Sequence, residues 1–274
     1  MTAFCHNKKK CIFAGYFLIF TNIKKTAYYH CLVIALLLTF IGCNHETIKP
    51  ELLKDAVVDF DGNSYDAVKL GNQIWMASNL RVTHFPNGNE IPTIIRDDYY
   101  NITEPSKYMP NDNPDLVATN GYLYNWYAAV NGETASSSNP SGVQGICPDG
   151  WHLPSRAEWT ELTDYLGSHE EYCAGGATNI AKSLASTTGW NSSSNDYAVG
   201  NNQSENNKAC FNAYPVGSYG GNGSTGMGSF APFWTSEETG GERAYDFIIR
   251  KAKPTTVIFD DSKYYGMSIR CIRN

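Results

Sequence analysis

Few side chains in this sequence have the type and spacing that catalysis requires. Of its six histidines, the three beyond position 80 are His84, His152 and His169. His152 stands between Trp151 and Leu153 at a predicted helix start, which favours a buried, hydrogen-bonded imidazole. His169 follows the predicted helix end, where a cation interacts favourably with the helix dipole. Motifs for phosphate binding, zinc proteolysis, acyl transfer and dinucleotide binding are absent from the sequence.

Acidic residues form two further clusters that could carry chemistry. Glu237 and Glu238 are adjacent, and adjacent residues on a strand point to opposite faces, so they would not converge on a glycosidic bond. Residues 59–63 (DFDGN) resemble the start of a calcium-binding loop but are not followed by its full ligand series with the terminal Glu. We interpret these residues as a tight turn and expect no cofactor, with calcium as an alternative that the sequence does not support.

Aromatic residues in polar loops are the remaining candidates for function. An aromatic ring beside Asn and Ser is typical of surfaces that stack on sugars or contact proteins. The alternative is that each ring packs beneath its own loop. The candidate ligand-binding residues are Trp190, Asn191, Tyr197, Tyr219, Tyr264 and Tyr265. The other five tryptophans lie in motifs or on a helix face and are expected in the core.

Four cysteines follow the N-terminal region, and an even number in an exported chain indicates two disulfides. Three connectivities exist, of which we favour Cys147–Cys271 and Cys173–Cys210. No pair has C-x-x-C spacing and no His lies at ligand spacing, so a zinc site is not expected. If all four cysteines are paired, none is available as a nucleophile.

One helix that must position these residues is clearly encoded. Ser155 and Glu158 form the capping box S-x-x-E, in which each side chain bonds the other residue's backbone N–H. Gly167 stands where a C-terminal cap belongs. A second, shorter helix is predicted within residues 178–184. The apolar residues of the first helix share one face: Trp159, Leu162 and Leu166.

Strand patterns lie on both sides of this helix, which indicates an α+β fold rather than alternating βαβ units. Gly71 and Asn72 separate two apolar runs and predict a hairpin.

Residues 121–130 fit a strand or a helix equally well. Residues 189–228 are rich in Asn, Ser and Gly and too long for a structureless loop. We expect them to be pinned by the second disulfide and by aromatics, or to contain short strands. The predicted strands are residues 57–60, 65–70, 73–76, 233–236, 245–249, 255–259 and 267–272.

The N-terminal region has the features of an export signal. Lys24 and Lys25 precede the apolar residues 31–42. A helix of this length spans about 18 Å, which is short of a hydrocarbon core of about 30 Å. Gly42 followed by Cys43 resembles the bacterial lipobox, in which the Cys receives a lipid. We therefore predict a signal peptide at 1–42 with an over-long start, lipidated Cys43, a tether at 43–56 and a folded domain at 57–274.

This signal predicts an outer-membrane lipoprotein of the cell envelope, held to the membrane by its lipid and facing the periplasm or the cell surface. The alternatives are an ordinary secretory signal and a two-helix membrane hairpin. Residues 1–42 contain five lysines and no acid, so the other 232 of the 274 residues contain 16 basic and 27 acidic residues. Their net charge of −11 (16 − 27) disfavours nucleic acid as a partner.

Six motifs follow one another in order between residues 57 and 274. They are Asp61-Gly62-Asn63-x-Tyr65, Gly71-Asn72-Gln73-Ile74-Trp75-Met76-Ala77-x-Asn79-Leu80, Tyr122-Leu123-Tyr124-Asn125-Trp126, Cys147-Pro148-x-Gly150-Trp151-His152-Leu153-Pro154-Ser155, Phe233-Trp234-Thr235-Ser236 and Ser268-Ile269-Arg270-Cys271. Together they resemble a known family, the Fibrobacter succinogenes major paralogous domain, whose members occur in exported proteins and lipoproteins of Bacteroidetes and Fibrobacteres. The animal-lectin triplet W-N-D is absent, and Trp190-Asn191-Ser192 is its nearest approach.

This resemblance implies a single C-type-lectin-like domain with small antiparallel sheets, one or two helices and long loops. Such folds tie the main helix region to the last strand, which fits the Cys147–Cys271 pairing. The family has no established enzymatic activity. We therefore expect a non-catalytic binding or adhesion module for a glycan or a protein. The alternatives are a structural subunit of a surface appendage and an enzyme of the formylglycine-generating type.

Overall fold

The computed structural model describes residues 49–94 and 102–274 of the chain. These residues form small antiparallel sheets with short helices and long loops, so the predicted α+β class is confirmed. The predicted signal peptide, the predicted lipidation site Cys43 and the first part of the predicted tether, residues 43–48, lie outside the described residues.

The larger sheet has five antiparallel strands in the order β1-β2-β3-β12-β6. The Gly71-Asn72 hairpin is confirmed, since Leu70 pairs with Gln73 and Gly71 has a φ of 63°. β1 begins at Glu51, so the last part of the predicted tether is a strand, because it pairs with β2 from Glu51 onward. The strands are β1 (Glu51–Val58), β2 (Ser64–Leu70), β3 (Gln73–Met76), β6 (Trp151–His152) and β12 (Ile272–Arg273).

The second sheet has three antiparallel strands in the order β11-β10-β9. They are longer than the sequence pattern indicates: β9 (Phe230–Gly240), β10 (Arg243–Arg250) and β11 (Thr256–Ser262). Two small two-stranded sheets complete the sheets of the described residues. One pairs β4 (Lys107–Tyr108) with β5 (Leu123–Tyr124), and the other pairs β7 (Ser218–Gly220) with β8 (Gly223–Thr225).

The longest described helix confirms the predicted capping box. The helices are α1 (Val117–Asn120), α2 (Trp126–Val130), α3 (Arg156–Gly167) and α4 (Ala181–Leu184). In α3 the Ser155 hydroxyl accepts the Glu158 N–H while the Glu158 carboxylate accepts the Ser155 N–H. The prediction that Gly167 is the C-terminal cap is wrong, because Ser168 occupies that position. Gly167 is the last helical residue, where a Cβ would lie 2.6 Å from the Ala177 carbonyl oxygen.

One of the three core clusters of the described residues lies where α3 packs between the two larger sheets. The Trp159 ring stacks on Phe247 of β10 with ring centroids 4.0 Å apart, and it lies 4.5 Å from the Trp75 ring of β3. The other tryptophans predicted for the core, Trp126, Trp151 and Trp234, are also buried. One aromatic cluster thus joins the strands that enclose the helix.

The disulfide Cys147–Cys271 is confirmed, with a Cα–Cα distance of 5.9 Å. The predicted disulfide Cys173–Cys210 is not formed, and both residues are thiols. The Cys173 sulfur instead lies 3.4–3.6 Å from carbonyl oxygens at and just beyond the C-terminal end of α3. Residues 189–228 are therefore held by other contacts than a disulfide, and they contain the short strands β7 and β8.

Candidate functional site

A polar cavity of about 540 Å³ opens between α4 and the loops on either side of it. Its walls come from residues 172–175, from α4 and from the loop 196–208. The helix α4 lies within the predicted second helix at residues 178–184, whereas the other two segments have no helix or strand predicted from the sequence. The cavity is within the range of roughly 300–1,000 Å³ that is usual for small-molecule sites.

Tyr197 provides the exposed aromatic surface of this pocket. Tyr197 is 54% exposed, and its backbone has a left-handed φ of 59°. Such a φ is unusual for a residue with a large side chain. Gly175 lies under the ring, and a Cβ at that position would be 2.7 Å from the ring carbon Cζ. The left-handed φ of 80° favours glycine at position 175, and the absence of a side chain there lets the Tyr197 ring approach the backbone closely.

Lys182 of α4 organises the loop that carries Tyr197. Its amino group donates to the carbonyl oxygens of Ala198 at 3.4 Å, of Asn202 at 3.2 Å and of Asn201. Burial lowers the pKa of Lys182, and the nearby Glu205 carboxylate opposes that shift. Because three carbonyl groups of one loop converge on one amine, the loop has a fixed conformation.

The backbone of α4 ties down the next part of the chain as well. Its carbonyl groups accept hydrogen bonds from the N–H groups of residues 207–213. These bonds join Asn207 to Lys182, Ala209 to Ser183 and Ala213 to Leu184. A four-residue helix thus serves as the attachment point for both sides of the pocket loop.

The rim of the pocket is rich in groups that bond to hydroxyls. Asp196, Glu205 and Lys208 are exposed there, beside the amide side chain of Asn202. Carboxylates accept hydrogen bonds, ammonium groups donate them, and an amide does both. An aromatic ring flanked by such groups can bind a ligand that is apolar on one face and polar at its edge.

The other predicted ligand-binding residues do not join this pocket. Trp190, Tyr219 and Tyr264 are buried, so the expectation that they face solvent as a binding surface is wrong. The Trp190 indole donates to the Ser186 hydroxyl at 3.2 Å, and the Tyr219 ring stacks on Tyr108 at 4.5 Å. These rings pack under their own loops because their apolar area is better buried than exposed.

Asn191 and Tyr265 lie elsewhere on the surface. Asn191 is exposed, and its backbone N–H donates to the Gly228 carbonyl at 2.7 Å. Tyr265 is part-buried against the core. Of the six predicted residues, Tyr197 alone lines the pocket. The sequence patterns missed Lys182 and Gly175, because neither stands in a motif and both act through contacts distant in sequence.

The histidines have structural roles in this fold. His152 is buried between the Glu158 carboxylate and the Asn274 side-chain oxygen, each at 2.6 Å. Burial acts to lower the pKa of His152, but the hydrogen bond and charge of Glu158 raise it overall. His169 Nδ1 lies 2.7 Å from the Tyr165 carbonyl oxygen, so the predicted position at the helix end is confirmed.

The acidic clusters are also engaged in structural contacts. Glu237 Oε2 accepts from Arg156 at 2.7 Å, while Glu238 pairs with Lys263. Asp59 accepts the backbone N–H groups of Asp61 and Asn63, as the predicted tight turn requires. Among residues 49–94 and 102–274, no three His, Cys, Asp or Glu side chains are grouped as metal ligands. Within the same ranges, no helix has the length and apolarity to cross a membrane.

Comparison with known proteins assigns the chain to a family. Residues 68–273, which are 206 of the 274, match the family described as Fibrobacter succinogenes major domain. No curated protein and no solved structure matches the chain. The matched region includes the disulfide, α3 and the whole pocket. The chain belongs to the Fibrobacter succinogenes major domain family.

Proposed function

We propose that this protein is a cell-envelope lipoprotein whose domain is a non-catalytic binding module, and that a glycan binds in the pocket beside Tyr197. The observation that carries the proposal is Tyr197, which combines an exposed aromatic ring with a left-handed backbone conformation. Strained conformations are retained where the surrounding structure enforces them, and they concentrate at functional sites. An exposed ring gains little from burial, so its contribution to stability does not explain the strain.

A glycan fits the pocket better than a protein does. The site is concave and holds about 540 Å³, whereas protein interfaces are broad and bury about 800 Å² on each partner. A sugar ring presents C–H groups to an aromatic face and hydroxyls at its edge. Asp196, Glu205 and Asn202 are placed to bond those hydroxyls.

Two further features support the proposal: the predicted lipid anchor and the resemblance to C-type-lectin-like folds. The apolar segment and Gly42-Cys43 favour lipidation at Cys43 and attachment to the outer membrane. Small antiparallel sheets with long loops are consistent with a C-type-lectin-like arrangement, which stays a prediction. A domain tethered in this way would present its pocket to envelope or extracellular glycans.

A formylglycine-generating type of enzyme is the less favoured function. That chemistry needs reactive thiols, and burial raises the pKa of the Cys210 thiol. A raised pKa lowers the fraction of thiolate, which is the nucleophile. We expect slow alkylation of Cys210 by iodoacetamide at neutral pH, and fast alkylation there would favour the enzyme.

A glycan array tests the proposal directly. The detergent-purified full chain is compared with Tyr197→Ala and with Phe60→Ala, a control whose ring is 56% exposed at a different surface. We expect wild type and Phe60→Ala to bind the same glycans, and Tyr197→Ala to lose them. No glycan signal with or without calcium would refute glycan binding. Equal binding by all three proteins would move the site away from Tyr197.

A further inference from the structure

The buried amine of the pocket has no donor left for a ligand. A lysine ammonium group carries three N–H donors and no acceptor. In Lys182 the three donors face the carbonyl oxygens of Ala198, Asn201 and Asn202, and the residue is only 7% exposed. The dipoles of these carbonyls offset the charge of the ammonium group toward a bound molecule. Lys182 therefore orders the wall of the pocket without offering it a hydrogen bond.

The charged groups that a ligand can reach are mainly acceptors. Asp196 and Glu205 line the pocket and are exposed. Neither carboxylate takes part in an ion pair within the described part of the chain. The Ser183 hydroxyl, which could donate to a ligand, already donates to the Tyr172 carbonyl at 2.6 Å. Since ionised carboxylates only accept hydrogen bonds, they favour a ligand that donates.

The accessible charge of the pocket is negative. Among the described residues that line it, Lys208 is the one exposed base, and it forms no ion pair with either acid. The two exposed acids therefore outnumber the exposed base. The chain beyond residue 42 also carries a net charge of −11 (16 basic, 27 acidic). A cationic ligand is attracted by this field, whereas an anionic sugar is repelled.

The Tyr197 ring favours the same kind of ligand. An ammonium group within about 6 Å of an aromatic face is attracted by the negative charge of the ring face. A hydroxyl bonded to a carboxylate forms a hydrogen bond with one charged partner, whereas an ammonium group forms one in which both partners are charged. Hydrogen bonds of the second kind are stronger. Ring and carboxylates together thus fit a sugar that carries a positive charge better than a neutral sugar.

We propose that the glycan bound in this pocket is an amino sugar whose amine is free and protonated. The inference rests on the proposed glycan function of the same pocket, and it adds the charge of the ligand. The sugar ring lies on Tyr197, and its ammonium group donates to Asp196 and Glu205. N-acetylation removes the charge and two of the three donors, so acetylated sugars bind more weakly.

Two oligosaccharides that differ only in acetylation test this proposal: the tetramer of β-1,4-linked glucosamine and its N-acetylated form. Binding to the detergent-purified full chain is measured by calorimetry at pH 6, where the amine is protonated. We expect the glucosamine tetramer to bind about tenfold more tightly than the acetylated one. Asp196→Asn and Glu205→Gln should each weaken its binding about fivefold, and Lys208→Met should strengthen it. Asp115→Asn is the matched control, since it removes the same charge from an exposed residue outside the pocket, and it should bind within about twofold of wild type.

Several results would overturn the proposal. Equal affinity for the two tetramers, or no loss in either Asp196→Asn or Glu205→Gln, would exclude recognition of the amine. An equal loss in Asp115→Asn would assign the attraction to the net charge of the chain, and tighter binding of spermidine, a polyamine without a sugar ring, would assign the pocket to polyamines. Circular dichroism checks that each variant is folded. The glycan array separates this inference from the function it rests on: a signal that requires Tyr197 but not an amine refutes the amine alone, whereas a silent array refutes glycan binding itself.

Discussion

Two regions of the molecule differ in the partners of their basic side chains. The first region, called here the frame, consists of the two larger sheets with α3, and the second, called here the loop region, consists of residues 173–228. In the frame, the buried His152 contacts Glu158 at 2.6 Å and the part-exposed Arg156 contacts Glu237 at 2.7 Å. Each basic group therefore meets a carboxylate of the same region.

In the loop region the partners are backbone carbonyl groups. Lys182 donates to three of them, and Arg270 reaches into the region from near β12 to the carbonyls of Phe211 and Asn212. Arg270 also bonds the Met76 carbonyl and the Asn79 side chain, so it joins the loop region to the frame. Burial lowers its pKa to about 9.

The difference follows from the backbone. Strands satisfy their own N–H and C=O groups in the ladder, whereas an irregular chain leaves carbonyls that need donors when they are buried. Lysine and arginine supply several donors each and no acceptor. A buried cation can thus replace secondary structure as the means of ordering a loop, and the following variants test that comparison.

Removing the disulfide is expected to have the largest effect, and to act on the frame. Cys147 and Cys271 are 124 residues apart. The chain-entropy account gives about 4–5 kcal/mol for such a loop, as an upper value. Cys147→Ser combined with Cys271→Ser should lower the free energy of unfolding by up to that amount in urea titrations. A loss below about 1 kcal/mol would mean that strain or residual structure cancels the entropy term.

Arg270→Met should destabilise the protein by about 3–4 kcal/mol, because it leaves several buried acceptors without donors. Amide hydrogen exchange should then speed up first at residues 207–213 and only later in the frame. Arg273→Met is the control, since Arg273 makes one long hydrogen bond, to the Ala56 carbonyl at 3.4 Å. Uniform acceleration of exchange would contradict the role of Arg270 as the link between the two regions.

Lys182→Met should cost roughly 2–3 kcal/mol, since three carbonyls lose their donor. It should also abolish glycan binding, because the loop that carries Tyr197 loses its fixed conformation. Lys208→Met keeps the loop bonds and removes an exposed charge at the same pocket. Unfolding in urea and array binding are measured on both. Retention of binding by Lys182→Met would show that the loop is ordered without its buried cation.

Asp246 is the place where the frame departs from its own pattern of pairing, because it is fully buried and neither carboxylate oxygen has a hydrogen-bond partner within the described part of the chain. Burial, together with the charge of Asp261, raises its pKa from the unfolded value of 3.8 to about 8, so the folded state holds its proton to higher pH. Stability from this group is therefore present at acidic pH and is lost as pH rises from about 4 to 8. Asp246→Asn should remove this dependence. The difference in free energy of unfolding between Asp246→Asn and wild type should therefore grow by roughly 1–2 kcal/mol in favour of the variant from pH 5 to pH 8. Thermal unfolding at the two pH values measures the gain, and parallel pH profiles of the two proteins would contradict it.

Ser155→Ala should have the smallest effect, about 1 kcal/mol, because one capping bond of α3 is lost. The expected change is a lower urea midpoint at an unchanged slope. A larger loss would indicate that the contact between Glu158 and His152 is weakened as well. The variant therefore measures how strongly the capping box and the His152–Glu158 contact depend on each other.

Local patterns predicted the frame well. The capping box, the Gly71-Asn72 hairpin and the core tryptophans were all recognisable, because each depends on residues within a few positions of one another. The Cys147–Cys271 pairing was favoured among three connectivities, and the resemblance to the family agreed with it. The length of β1 and β9 was underestimated, because the pairing partner rather than the strand's own pattern decides where a strand ends.

The loop region was much harder to predict. The disulfide Cys173–Cys210 was expected from an even count of cysteines, whereas the Cys173 sulfur lies against carbonyls at the end of α3. Five of the six predicted ligand-binding residues lie outside the pocket. A polar sequence context does not reveal whether an aromatic ring faces solvent or lies beneath its loop.

The sequence alone determined the α+β class, the main helix with its cap, and the residues that make the frame. These features depend on periodicity and on short-range hydrogen bonds, which the order of residues specifies directly. Only the tertiary structure decided which aromatic ring is exposed, which amine holds the pocket loop, and which acid is buried without a partner. Those outcomes depend on contacts between residues far apart in the chain, such as Gly175 under Tyr197 and Asp246 opposite Phe259.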